Sequence, residues 1–130
     1  MIVVDASAML ELLLATPRGA RVEARIFNPG ETLHAPHLID LEVAQVLRRY
    51  CAGKELTPDR GREALDDLAH LRLSRYPHTL LLPRVWELRQ NLTAYDAAYL
   101  ALAELLDAPL VTCDRALASA PGHSAQVQVI

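Results

Sequence analysis

Four acids occupy positions where burial ought to discourage them: Asp5, Glu42, Asp96 and Asp114. Asp5 ends the apolar run Ile2-Val3-Val4, and Asp114 stands two residues beyond Leu110-Val111-Thr112. Asp96 falls in the first turn of a nearly all-apolar stretch whose next charged residue is Glu104. Glu42 lies among Leu38, Ile39, Leu41, Val43, Val46 and Leu47, whereas Asp40 is turned away from it by about 200° on the same helix. Carboxylates brought together repel one another and raise their own pKa values. A divalent cation removes that penalty. An all-oxygen set without His or Cys suits a hard ion, Mg²⁺ or Mn²⁺, rather than zinc. Such an ion keeps several waters and commonly also binds a substrate phosphate. Ser7 and Thr112, close in sequence to Asp5 and Asp114, are suited to orienting a carboxylate or a metal-bound water. The chemistry this set implies is metal-assisted phosphoryl transfer or phosphodiester hydrolysis, and the residues alone leave the phosphate substrate open.

Each acid also has a plain structural reading. Asp5 and Asp114 can cap the helices that follow them, and Thr93 with Asp96 fits a capping box. Glu42 can pair with Arg48 or Arg49. What favours a site is convergence, and convergence depends on the elements that carry the four residues.

Short β-branched or apolar runs predict strands at 2–4, about 32–35, 71–74, 110–112 and 127–130. Helical patterns fill the gaps: one capped by Ser7 and running to 14, one over 18–27, and a strong one over 38–50. Another is capped by Thr57 with Pro58 in its first position and reaches 71, one through 86–90 is opened or kinked by Pro83, and an apolar one over 95–106 is capped by Thr93. A small helix begins at Asp114. Strands alternating with helices call for a parallel sheet covered on both faces. Asp5 and Asp114 then fall at the carboxyl ends of strands, where open sheets of this kind bind ligands.

The chain of 130 residues fits one compact domain, 1–130, and its 52% hydrophobic and 22% charged residues are those of a globular protein. A net charge of −3 argues against a broad basic nucleic-acid coat but allows a local basic groove. Lys54 is the sole lysine, so the cations are arginines, suited to bidentate phosphate contact. Cys51 and Cys113 lack metal or disulfide spacing, which suits a reduced cytoplasmic protein. No membrane segment is expected.

Taken together, the segments around Asp5-Ala6-Ser7, Glu42, Thr93-Ala94-Tyr95-Asp96-Ala97-Ala98-Tyr99-Leu100-Ala101-Leu102-Ala103 and Leu110-Val111-Thr112-Cys113-Asp114 resemble PIN-domain proteins. More narrowly, they resemble the VapC-type toxins of bacterial toxin–antitoxin pairs. The stretch from Pro77 through Arg89 is similar to segments of mycobacterial and other actinobacterial members. The resemblance implies a three-layer α/β/α sandwich around a mostly parallel sheet, with the four acids about one or two Mg²⁺ or Mn²⁺ ions. It implies endonucleolytic cleavage of structured RNA such as tRNA or ribosomal RNA by in-line attack of a metal-polarised water. Asp5, Asp96 and Asp114 would be direct or water-mediated metal ligands, and Glu42 a ligand or a positioner of the water. A small VapB-like antitoxin would lie across the site and an adjoining apolar groove formed by residues 9–14 and the Glu42 helix. A homodimer is implied as well. Arg115, Ala116 and Leu117 stand where some PIN nucleases carry further acids, which weakens the case for a second metal. Arg115 is the first candidate for substrate phosphate, followed by Arg48, Arg49, Arg84 and Arg89; Trp86 reads as core or interface.

Two other enzyme classes begin similarly. A haloacid-dehalogenase-type phosphatase needs a second Asp where this chain has Ser7, and a receiver domain needs a lysine that Lys54 does not supply. A catalytically idle PIN module, serving only as a binding or scaffold protein, and a nuclease acting on DNA remain as alternatives.

Overall fold

The computed structural model describes residues 1–130. Three β-branched residues open it as β1 (Ile2–Val4), and Asp5 turns the chain into α1 (Ala6–Leu13). Next comes α2 (Pro17–Ile26), capped by Thr16, with Pro17 in the first turn, where its missing N–H costs nothing. After β2 (Leu33–Pro36) and α3 (Leu38–Ala52), Thr57 and Pro58 start α4 (Pro58–His70) in the same way. The chain continues through β3 (Leu73–Tyr76), a 3-10 turn (His78–Leu81) and α5 (Leu82–Glu87). It ends with α6 (Ala94–Leu106), β4 (Leu110–Thr112), α7 (Arg115–Ser119) and β5 (Val127–Val129).

The five strands run in the order β3-β2-β1-β4-β5, and every pairing is parallel. Right-handed crossovers then place α1 to α4 on one face and α5 to α7 on the other. Packing agrees: α1 lies against α2, α3 and α4, and α5 against α6. This is the three-layer α/β/α arrangement expected from the sequence. β1 and β4 are wholly buried, which is why they read as unbroken apolar runs. Every side chain of α6 from Ala97 to Ala103 is buried, and its alternating small residues let the helix lie close over β1, β2 and β4. No helix is long and apolar enough to cross a membrane.

Local expectations differ from the structure at four places. The cap of α1 is Asp5, whose carboxylate accepts the Ala8 N–H, rather than Ser7. The third strand begins at Leu73, not residue 71, because α4 extends through His70. Pro83 lies within the first turn of α5, after a 3-10 turn, so the proline starts the helix and the chain unwinds before residue 90. Trp86 is 68% exposed, its ring covered by the Arg89 guanidinium 4.5 Å from the centroid, so it is no part of the core.

Gly19 fixes how α2 meets α1. A Cβ there would stand 2.0 Å from the Glu11 carbonyl oxygen, a backbone atom that cannot swing aside. Gly19→Ala is expected to force the helices apart and cost about 1–3 kcal/mol, the scale of overpacking in a tight interface. Urea unfolding with an unchanged m-value and a lowered midpoint is the outcome to look for.

Candidate active site

Sheet topology decides where the acids go. β1 is flanked by β2 on one side and β4 on the other, so the chain reverses its direction of travel across the sheet at the β1–β4 boundary. A crevice opens at the carboxyl edge of such a switch point. Val4 pairs with Val111, so one step further along the register Asp5 comes beside Thr112. Asp114 follows immediately on the same edge. α3 leaves β2 at that edge and carries Glu42 one turn in. α6 runs back towards the start of β4, so its first turn, with Asp96, lies over the carboxyl edge too. Elements from both faces of the sheet thus bring four acids to one rim.

The carboxylate of Asp5 is the most tightly held. Its Oδ1 accepts from the Ala8 N–H at 3.0 Å and the Ser7 hydroxyl at 2.7 Å. Its Oδ2 accepts from the Thr112 hydroxyl. The same two hydroxyls receive backbone amides from the far strand end: Cys113 N–H donates to Ser7 Oγ and Asp114 N–H to Thr112 Oγ1, each at 2.9 Å. Ser7 and Thr112 therefore join the loop after β4 to the loop after β1. Asp114 caps α7 through Oδ1, which accepts the Ala116 N–H, and leaves its other oxygen without a protein partner. Capping and a site at the same residues are compatible, because a cap uses only one carboxylate oxygen.

Glu42 is held by a residue that sequence reasoning missed. The Tyr99 hydroxyl donates to Glu42 Oε1 at 2.6 Å, joining α6 to α3 across the sheet edge. Tyr99 is buried, and the only trace of its role in the sequence is a phenol three residues after Asp96 in an otherwise apolar helix. Glu42 Oε2 has no protein partner.

The electrostatics are those of an incomplete charge balance. Asp5 is pushed above the ordinary carboxylate range mainly by burial, opposed by its bonds to Thr112, Ala8 and Ser7 and augmented by the charge on Asp96. Glu42 is raised by burial, against the Tyr99 bond, and further by Asp96 and Asp5. Asp96 is raised by burial and then by Asp114, with the Thr93 hydroxyl opposing. No three acidic, histidine or cysteine side chains stand close enough to form a closed metal shell by themselves. The donor set is open and all-oxygen, with Glu42 Oε2 and an Asp114 oxygen unclaimed. That fits a hard divalent ion that keeps most of its waters.

Of the candidate phosphate contacts, Arg115 is exposed beside Asp114 and makes no ion pair. Arg84 is committed elsewhere: it grips Glu104 at 2.8 and 3.0 Å, Glu87 at 2.9 Å and the Gly122 carbonyl at 2.9 Å, so it braces α5 against α6. Arg48 lies on the side of α3 that faces α4, beside Gly61 and Arg62. Arg49, seven residues from Glu42 and so on its face of the helix, lines the cleft that Glu42 and Ser7 border, and Arg18 of α2 lines it too. Sequence reasoning passed over Arg18 because nothing local marks it. Asp40 turns away as expected and clasps Arg75 of β3 at 2.7 and 2.9 Å.

A fold of this order with four acids at its switch point is that of a PIN domain, and the model of the PIN domain family matches residues 2–122. The ribonuclease VapC9 of Mycobacterium tuberculosis is 44% identical over 130 residues, covering 100% of this chain and 98% of its own. Two solved structures share the fold: the M. tuberculosis VapC20, a sarcin-ricin loop cleaving toxin (TM-score 0.72, 17% identity, 95% of this chain and 97% of that one), and VapBC2 of Rickettsia felis bound to a promoter DNA fragment (TM-score 0.72, 15% identity, 99% and 98%). The chain belongs to the PIN-domain family and, within it, to the VapC ribonucleases.

Proposed function

We propose that this protein is a Mg²⁺- or Mn²⁺-dependent endoribonuclease that cuts structured RNA, tRNA or ribosomal RNA, as the toxin of a toxin–antitoxin pair. The observation that carries the reading is the gathering of Asp5, Glu42, Asp96 and Asp114 at the sheet's switch point, three of them held above the ordinary carboxylate range. Relatives named ribonucleases span nearly the whole chain. A bound divalent ion, held by Asp5, Asp96 and Asp114 directly or through its waters, would neutralise charge on the phosphate and polarise the attacking water. The protein's own part is positional: Ser7 and Thr112 fix Asp5, and Tyr99 fixes Glu42 so that its free oxygen is available to orient the water.

The cleft between α1 and α3, about 740 Å³ and walled by Leu10, Leu38, Leu41 and Val46, supports a VapB-like antitoxin as a second occupant. Leu41 in it is 76% exposed, an unusual position for a leucine flanking the core helix. Exposed Leu80, Leu82 and Trp86 offer apolar surface for a homodimer. A substrate of cellular RNA would put the protein in the cytoplasm.

Total cellular RNA incubated with the purified, antitoxin-free protein tests the reading. Discrete fragments are expected with Mg²⁺ or Mn²⁺ and none with chelator. Intact RNA in both metals, with DNA cut instead or nothing cut at all, would overturn it.

A further inference from the structure

Tyr99 is the polar exception in a stretch of α6 that is otherwise core. It is 1% exposed, and its neighbours from Ala97 to Ala103 are all apolar and buried. Phenylalanine would fill the same space with no hydroxyl to satisfy, and a buried hydroxyl is costly unless it is bonded. The bond that Tyr99 makes leaves the helix altogether, reaching Glu42 Oε1 of α3 at 2.6 Å.

Glu42 needs such a partner. Asp96 and Asp5 both oppose its ionisation, and on its other side lies the open cleft between α1 and α3. Repulsion and free space therefore both favour a side chain turned out of the site. Arg48 and Arg49, the cations nearest to it in sequence, form no ion pair with it. The Tyr99 hydroxyl supplies the opposing pull. Asp96 and Tyr99 are three residues apart and share one face of α6, with Tyr99 a turn further from the rim. One helix face thus carries an acid of the site and the donor that holds a second acid. Burial, then the bond to Glu42 and the charges on Glu42, Asp5 and Asp96, keep the phenol far above its usual range. It stays protonated, so it is no base, and its single proton is engaged with Glu42.

We propose that Tyr99 is a positioning residue for hydrolysis: its hydroxyl holds Glu42 in the site against Asp5 and Asp96, and Glu42 so held serves the attacking water while the aspartates bind the ion. This rests on the ribonuclease reading and divides the labour of the four acids within it. Tyr99 touches neither RNA nor ion, so its loss should slow the bound complex and leave both affinities alone. Its hydroxyl should also matter only while a carboxylate at position 42 is there to receive it.

The test compares wild type, Tyr99→Phe, Glu42→Gln and the double variant on a cellular RNA that the wild type cuts in Mn²⁺. Two quantities are read: kcat and KM for cleavage, and the rise in melting temperature that Mn²⁺ brings without RNA. Tyr99→Phe keeps the ring and with it the packing of α6. It is expected to lower kcat by about tenfold to a hundredfold, the scale of losing a group that orients a site residue. Its KM and its Mn²⁺ response should match the wild type. Glu42→Gln should be at least as slow with the same Mn²⁺ response, and the double variant no slower than Glu42→Gln, because contacting residues are not additive. The proposal is overturned if Tyr99→Phe cuts within twofold of wild type, or if the two losses simply multiply. It is overturned too if Tyr99→Phe or Glu42→Gln loses the Mn²⁺ response as Asp96→Asn does, since Glu42 would then belong with the ion-holding aspartates. A fall in kcat that comes with a raised KM and a lowered urea midpoint would make Tyr99 a structural residue and sink the proposal as well. A wild type that cuts no RNA is a different failure, which removes the ribonuclease reading and this proposal with it.

Discussion

Asp96→Asn yields a protein that folds, melts higher than the wild type in the absence of metal, and cuts RNA only at a small residual rate. The loss of rate is expected to be about 10² to 10³, the scale of removing one electrostatic stabiliser from a hydrolytic site. The gain in stability follows from the sign of the pKa shifts. Asp5, Glu42 and Asp96 all hold their protons more tightly in the fold than in the unfolded chain, because burial and their neighbours oppose ionisation. Stability from these groups is therefore present below their raised pKa values and is lost as pH climbs through them, so metal-free protein should be more stable at mildly acidic than at neutral pH. Asn at position 96 removes one of the repelling charges and should flatten that decline. Mg²⁺ or Mn²⁺ should raise the wild-type melting temperature at neutral pH and do little for Asp96→Asn, since a ligand that binds only the native state stabilises it by mass action. Wild-type cleavage by Asp96→Asn, or an equal metal response in the two proteins, would refute the metal-site assignment.

Sequence pattern and structure agree where one physical rule dominates. The strand at Ile2–Val4 is a run of buried β-branched residues, and Thr16-Pro17, Thr57-Pro58 and Thr93 each announce a helix through cap chemistry. Alternation of strands and helices leads to the three-layer order, and the carboxyl-edge rule then brings Asp5 and Asp114 together. The misreadings arise where several side chains compete for one role. Asp5 and Ser7 both have cap chemistry, and the choice of Asp5 follows from its register beside Thr112, a long-range fact. Arg48 and Arg49 look equivalent in sequence, yet the turn of α3 sends one to α4 and the other to the cleft. Arg84 finds Glu104 twenty residues away, and Tyr99 finds Glu42 at a separation of 57. Such pairs have no local signature. They follow only from knowing which helices the sheet brings side by side.

Thr112→Val is expected to cost stability and activity together, and the reason lies in what one hydroxyl joins. Thr112 is fully buried at the end of β4, donates to Asp5 Oδ2 and accepts the Asp114 N–H at 2.9 Å. Valine has the same shape and fills the same space, so no cavity is created. What is left behind is a buried carboxylate oxygen and a backbone amide without partners, at a cost of roughly 2–4 kcal/mol. Asp5 would lose the largest of the hydrogen bonds that oppose its burial, and its pKa would climb further. Cleavage at neutral pH should fall by about tenfold to a hundredfold, the usual effect of losing a group that orients a metal ligand. Because Asp5 would then compete for a proton as well as an ion, the deficit should shrink as pH rises, whereas a purely structural defect would be pH-independent. Thr112→Ser retains the hydroxyl on the same backbone and should restore activity, with a smaller loss of stability from the missing methyl group. A Thr112→Val protein as active as wild type at every pH would mean that Asp5 keeps its position through Ser7 and the Ala8 amide alone, and the two strand ends would then need no hydroxyl between them.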